Sequence, residues 1–313
     1  MDPFVIWLQQ ALGSDIMPVM KFVTDWGGPV GWYIAIGVFL IFAGISRGMP
    51  LVVLAFGSLL LNTWLKWAFV APRPFYIDPQ VIAHTPTPGF GMPSGHAQGA
   101  FAVWGGLGML LKSRFWCIAL FGLAALVALT RPYLGVHSLG QIVVGATLAI
   151  IAIGITLRFW GKVTSYLNEM PSGRLWLLLG AGALVATLLN ILILQARSDF
   201  VVPQQWVKSY AAAAGLEHAT TDDLGLFADG GSLMIAMLTG FLAMALVARA
   251  QPAQLTRSAA KWIALVVAII AHVAVIALVA QAGMAQIWLY PVLGAIPTLC
   301  LYLPMRLADK LAR

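Results

Sequence analysis

Two histidines and three isolated cations, all near the ends of apolar runs, carry the chemistry of this sequence. His96 follows Pro93-Ser94-Gly95, where a proline-rich stretch gives way to the apolar run Ala97 to Leu111. A Ser-Gly pair at such a junction reads as a helix start, with free backbone N–H groups and the positive end of the dipole facing outward. That terminus suits a phosphate group, and His96 in the first turn is placed to exchange protons with it. Lys66 closes the preceding apolar run, and six residues separate it from Arg73, which lies between the helix-stopping Pro72 and Pro74. Arg131 closes a later run, and five residues separate it from His137. An oxyanion with several acceptor oxygens would satisfy this set, with arginine supplying planar forks and lysine a point charge.

The elements that position these groups are membrane helices. The chain has 313 residues, 61% hydrophobic and only 9% charged, with a mean hydropathy of +0.90. A soluble domain carries about 25% charged residues. The composition therefore implies an all-α, polytopic membrane helix bundle. Crossing roughly 30 Å of hydrocarbon takes about 17–25 apolar residues. Nine stretches meet that need: 29–46, 50–71, 94–111, 115–132, 139–157, 175–195, 231–248, 262–280 and 284–304. Residues 1–28 carry no basic-apolar-small leader and alternate apolar with polar groups, which fits an interfacial segment. The expected organisation is thus an interfacial segment at 1–28 and a catalytic membrane core at 29–160. Additional helices at 161–313 carry a polar outer loop at 196–230.

The net charge of +7 is read as membrane topology, not as a nucleic-acid surface. Connections on one side hold Arg47, Lys112, Arg114, Arg158, Lys162, Arg174, Arg249, Arg257, Lys261, Arg306, Lys310 and Arg313, two thirds of the 18 Lys and Arg. The positive-inside rule makes that side cytoplasmic, with the N-terminus outside and the C-terminus inside. Lys21, Arg197 and Lys208 on the outer side read as snorkelling side chains. Lys66, Arg73 and Arg131 instead share the outer face with Ser94, Gly95, His96 and His137.

Lys66 through Arg73-Pro74, then Pro93-Ser94-Gly95-His96, then Arg131 through His137 resemble the three-part signature of the type 2 phosphatidic acid phosphatase superfamily. The resemblance covers the second through fifth expected spans. It implies a metal-independent membrane phosphatase without a cofactor. His137 would be the nucleophile that forms a phosphohistidine, and His96 the acid that protonates the leaving alcohol. Lys66, Arg73, Ser94, Gly95 and Arg131 would form the phosphate cradle. The chemistry is coherent, since phosphoryl transfer rests on positioning and charge stabilisation and imidazole is a competent nucleophile near neutral pH. One position departs from the pattern: the family commonly has Asp four residues after the nucleophile, where this chain has Gln141, and Thr130 replaces a Ser before Arg131. A carboxylate would orient the imidazole and stabilise its cation, whereas an amide oxygen orients it with less stabilisation. The glucose-6-phosphatase branch shares the His, three residues, Gln ending, and its nine spans, so Gln141 is read as a marker of that branch.

The remaining polar residues have plainer readings. His84 and His218 read as solvated loop histidines, and His272 as a hydrogen-bonded packing residue. Trp206 and Tyr210 read as interfacial anchors, with a lid over the site as the alternative. Asp222, Asp223 and Asp229 form a solvated acidic face without metal-ligand spacing. Trp64, Trp67 and Trp104 read as packing, and Cys117 and Cys300 as buried thiols. A coupled transporter would need ionisable groups at mid-membrane, which the span centres lack apart from His272. The expected partners are membrane lipids and a phosphorylated substrate. Outer-face placement suits a lipid phosphate such as phosphatidate or a polyprenyl phosphate or diphosphate, and the branch resemblance suits a sugar phosphate. Asn62, Asn168 and Asn190 lack glycosylation sequons, and the loops are short. Both features point to a bacterial inner membrane with the site facing the periplasm. No protein partner is inferable, and phosphotransfer to another acceptor is open beside hydrolysis.

Overall fold

The computed structural model describes residues 2–227. Among these every regular element is a helix, with no strand. In order come α1 (Pro3–Leu12), α2 (Met17–Trp26), α3 (Pro29–Ala43), α4 (Ile45–Phe69) and the short α5 (Pro74–Ile77). Next, α6 (Gly95–Ala100) continues through a π-helical segment, Phe101–Gly105, into α7 (Gly106–Leu110). Then follow α8 (Arg114–Tyr133), α9 (Leu139–Glu169), α10 (Ser172–Gln195) and α11 (Gln204–Ala214). Four stretches are long and apolar enough to cross a membrane: Ser46–Ile77, Arg114–Tyr133, Leu139–Glu169 and Gly173–Gln195. Gly31–Ala43 is a shorter apolar helix. Of the first six expected spans, the second, fourth, fifth and sixth fall on these four stretches, the first on the shorter α3, and the third on α6 to α7, which is not among the four. The other three, with Asp229, His272 and Cys300, lie outside the described residues.

Element ends follow local chemistry. Helix α4 stops at Phe69 because Pro72 and Pro74 have no N–H to continue the ladder, and Val70 turns the chain aside at φ +45°. Helix α6 begins under Ser94, whose hydroxyl accepts the Ala97 N–H at 3.4 Å, as an N-cap serine should. Helix α9 runs twelve residues past the expected 157, because beyond its apolar part no proline interrupts it before Pro171. After α8, Gly135 at φ +76° lets the chain reverse. A side chain there would be strained and would also strike the Ile82 carbonyl, 2.2 Å from an added Cβ.

The described chain divides into two compact units. One includes Tyr33–Gly57 and Ile155–Leu188; in it, Gly48 of α4 lies against Leu40 of α3. The other includes the chain up to Trp32, Ser58–Gly154 and the stretch from Leu189, and it holds all eight candidate site residues. Ala97, Ala128 and Ile142 form a buried contact among α6, α8 and α9, joined by Phe101. Three helices that carry the motifs are thereby fixed to one another through small side chains.

Two segments close over this unit. Residues 4–23 form most of α1 and much of α2. Val5 is fully buried. The Gln9 amide donates to Ile82 O and Tyr133 O at 2.7 and 2.9 Å, while Trp7, Val19 and Phe22 face outward. The outer stretch 196–227 packs a second cap. Trp206 is not an interfacial anchor: it is buried, stacked on Tyr76 at 5.6 Å, because the loop 72–93 offers aromatic surface that water would otherwise meet. Tyr210 packs on the same cluster. Arg197, expected to snorkel, donates to Ala68 O near the end of α4.

Helix α9 approaches the motif turn closely at Gly145, where an added Cβ would lie 2.7 Å from Ser94 O. Gly145→Ala should therefore destabilise the protein by about 1–3 kcal/mol through overpacking. Gly154→Ala, with nothing within 4 Å of its Cβ position, should be near neutral. Thermal unfolding of the two variants in detergent reads the difference.

Candidate active site

Four consecutive backbone carbonyls, Pro88 to Gly91, organise the site. Arg73 Nη2 donates to Pro88 O at 2.8 Å and Nε to Gly89 O at 2.9 Å. Lys66 Nζ donates to Phe90 O at 2.9 Å. His137 Nδ1 lies 2.8 Å from Gly91 O. Arg73 Nη1 also donates to Val136 O at 3.0 Å. Arg73 is thus a buried hub more than a free fork, since four of its five N–H groups are engaged once His137 is counted. Its partners are uncharged, so it is oriented without being neutralised. Lys66 has one such acceptor and keeps two N–H groups for a ligand.

The protonation pattern of His137 follows from its neighbours. Nδ1 faces two acceptors, Gly91 O at 2.8 Å and Gln141 Oε1 at 3.1 Å. The Gln141 amide is fixed in sense, because its Nε2 donates to Pro72 O at 2.8 Å and its Oε1 accepts the Ser138 N–H at 3.2 Å. Nδ1 therefore carries the proton. Nε2 carries the lone pair and accepts from Arg73 Nη1 at 3.1 Å. Burial holds the His137 pKa well below its usual value, and the positive charges of Arg73, Lys66 and Arg131 press it further down. The ring is neutral at neutral pH.

The helix start is held from behind by amides. Ser94 N–H donates to Gln141 O at 3.0 Å, tying the second motif to the third. Asn62 Nδ2 donates to Pro93 O at 3.2 Å and to Gln98 Oε1 at 2.8 Å. Gln98 Nε2 in turn donates to Ser58 O and Oγ at 2.7 and 3.0 Å. At Gly95 an added Cβ would lie 3.2 Å from Asn62 Oδ1. Half-buried His96 meets the edge of Trp32, with ring centroids 6.4 Å apart. Arg131, 3% exposed, donates through Nη1 to Thr24 Oγ1 at 2.7 Å. Its buried Nε has no protein partner, leaving a donor for a bound group. At Gly91 an added Cβ would lie 2.6 Å from both Gln141 Nε2 and Pro72 O, so only glycine lets the loop reach His137.

Lys66, Arg73, Arg131, His96 and His137 are close enough that the other four all act electrostatically on His137, and Gln141 and Ser94 bond directly into the set. Asn62, Gln98, Thr24 and the Pro88–Gly91 loop were not anticipated. Asn62 had a signal, since it is polar within an apolar span and lies one helical turn before Lys66. The carbonyl loop has no side-chain signature. His84 stacks on Tyr133 at 5.3 Å, and burial lowers its pKa. His218 is exposed. Asp223 caps the Thr220 N–H and hydroxyl at 2.7 and 2.8 Å, which lowers its pKa. Among the described residues no cluster of three or more His, Cys, Asp or Glu is assembled.

A neutral buried His137 makes stability depend on pH. Below the ordinary value of 6.5 the unfolded chain takes up a proton that the folded one refuses. Stability is then complete above 6.5 and falls as the pH drops from there toward the depressed pKa. The unfolding midpoint should fall more steeply on acidification in the natural chain than in His137→Gln, compared by calorimetry across that window.

No curated protein and no solved structure matches the chain. Residues 47–165, the segment that supplies Lys66, Arg73, Ser94, Gly95, His96, Arg131, His137 and Gln141, match the model of the PAP2 superfamily.

Proposed function

We propose that this chain is an integral membrane phosphatase that hydrolyses phosphomonoesters through a phosphohistidine at His137. The observation that carries the reading is the imidazole itself: Nδ1–H is committed to Gly91 and Gln141, and the Nε2 lone pair is directed to Arg73 beside two further cations. The match of residues 47–165 to a superfamily whose members are phosphatases supports it.

In the first half of the cycle, phosphoryl oxygens take donors from Lys66, Arg131 and the Ser94–Gly95 turn. The Arg73 Nη1 hydrogen passes from Nε2 to a phosphoryl oxygen, which frees the lone pair as it polarises phosphorus. Nε2 attacks in line, the P–O bond to the alcohol breaks, and His96, which enters the cycle as the imidazolium, delivers its proton to the departing oxygen and is left neutral. The imidazolium proton stays on Nδ1, shared between Gly91 O and Gln141 Oε1. In the second half, neutral His96 takes a proton from water, the water oxygen attacks phosphorus, and the N–P bond breaks to release orthophosphate. The cycle uses no metal ion.

The reading places the site on the outer face of a nine-span chain, N-terminus outside, in a bacterial inner membrane. Residues 29–160 form the catalytic core between the 1–28 segment and the helices of 161–313. The substrate is a lipid phosphate, with its tail in the bilayer and its headgroup at the span ends. Gln141 favours a second reading, a sugar phosphate as in the glucose-6-phosphatase branch, and the same intermediate would serve transfer to another acceptor.

Purified protein should release phosphate and be inhibited by orthovanadate, and EDTA should leave the rate unchanged. His137→Ala should abolish turnover; undiminished release by that variant defeats the assignment of the nucleophile. Gln141→Leu, which removes one of the two acceptors behind Nδ1, should lower kcat by about 10²–10⁴. Rates on phosphatidate, polyprenyl diphosphate and glucose 6-phosphate from one preparation separate the substrate readings.

A further inference from the structure

The Pro88–Gly91 loop has to be held in place by something, since no regular element contains it. Two of its amides are anchored: Gly89 N–H donates to Leu224 O at 2.6 Å, and Gly91 N–H to Ala71 O at 2.8 Å. Between them Phe90 is fully buried. Its ring meets Phe227, Phe200 and Trp206 edge to face, with centroids 5.1, 5.7 and 6.5 Å apart. Phe200 also touches Trp206 and Phe227, at 6.0 Å in both cases. Four of these five anchoring groups therefore belong to the outer stretch 200–227, more than a hundred residues beyond the loop. The stretch is attached next to the first motif as well, because Ser209 Oγ donates to Tyr76 O, three residues after Arg73, at 3.1 Å.

The side chain and the backbone of Phe90 do different jobs in one place. The ring fills an aromatic socket supplied by the outer stretch. The carbonyl of the same residue orients Lys66, and the adjoining carbonyls orient Arg73 and His137. Displacing the ring shifts Phe90 Cα, the hinge at which the two peptide planes carrying the Gly89 and Phe90 carbonyls meet. Ordinary core packing would demand burial of Phe90 but not this coincidence of acceptors.

We propose that Phe90 is a positioning residue for the phosphate site, and that the outer stretch, through Phe200, Trp206 and Phe227, sets the placement of Lys66, Arg73 and His137. The inference rests on the phosphatase reading above and extends it: activity depends on an aromatic contact outside the matched segment, so that whatever loosens residues 200–227 lowers phosphate binding.

The test uses the full chain in detergent or nanodiscs, with Phe227→Ala, Phe200→Ala, Phe227→Leu and Phe90→Leu. The probes are orthovanadate as inhibitor and p-nitrophenyl phosphate as substrate. Hydrogen exchange is measured on peptides spanning 86–92. Misplacing a reacting group by an ångström costs about a hundredfold in rate. Phe227→Ala and Phe200→Ala should weaken orthovanadate by about 10- to 100-fold, lower kcat/KM in parallel and speed exchange in 86–92 but not in α8 or α9. Phe227→Leu and Phe90→Leu, which keep bulk in the socket, should recover most of the affinity. Unchanged orthovanadate affinity in the folded alanine variants overturns the proposal. So does faster exchange throughout α8 and α9, which would mean general destabilisation. If the natural chain neither cleaves p-nitrophenyl phosphate nor binds orthovanadate, the phosphatase reading fails, and exchange decides the positioning claim alone. Acceleration confined to 86–92 then supports it, and no acceleration overturns it.

Discussion

Cations gathered in a buried place repel one another and lose hydration, and both costs must be met without cancelling the charge that makes them useful. Here Lys66 and Arg73 are met by backbone carbonyls. A carboxylate would hold them more strongly and would also occupy them, competing with a phosphate for the same donors. A carbonyl dipole directs an N–H and leaves the net charge standing. The dependence on carbonyls has a geometric price, because a backbone must be brought to the cations and kept there. Most of the surrounding structure answers that need.

Close backbone approach explains the glycines that matter. Gly91 passes against Gln141 and Pro72, Gly145 against Ser94, and Gly135 against Ile82. In each case a carbonyl oxygen lies nearer an added Cβ than any real Cβ tolerates. The amides Gln141, Asn62, Gln98 and Gln9 then do what side chains can do from fixed helices. Each bridges segments distant in sequence through donors and acceptors of settled sense. Gln141 in particular joins Pro72 of the first motif to His137 of the third through its side-chain amide, and its backbone carbonyl takes the Ser94 N–H of the second.

Much of this was legible in the residues and some was not. Long apolar runs bounded by proline, glycine and basic residues placed α3, α4, α6 to α7, α8 and α10 to within a few positions and the start of α9, but not α1, α2 or α5. The cations and histidines stood out because charge near the ends of apolar spans is conspicuous. What stayed hidden was whatever acts through its backbone or through distant packing. Pro88, Gly89 and Phe90 carry no polar side chain, so nothing in their types announces three acceptors. Trp206 looked like an anchor because amphipathic rings are usual at a membrane surface; only the fold reveals an aromatic partner for it. Thr24 sits 107 residues from Arg131, and no local pattern links them.

The loop that orients the cations has a property its composition conceals. Any residue at 88, 89 or 90 brings the same C=O, so these acceptors cannot be deleted by substitution and can only be displaced. Sensitivity is thereby transferred from the identity of the loop to its seat, and from there to residues beyond 200. A comparison of sequences confined to the surroundings of the histidines would miss a stretch beyond 200 that touches no reacting atom. In this architecture the chemistry is written in one part of the chain, and the tolerance to change is set in another.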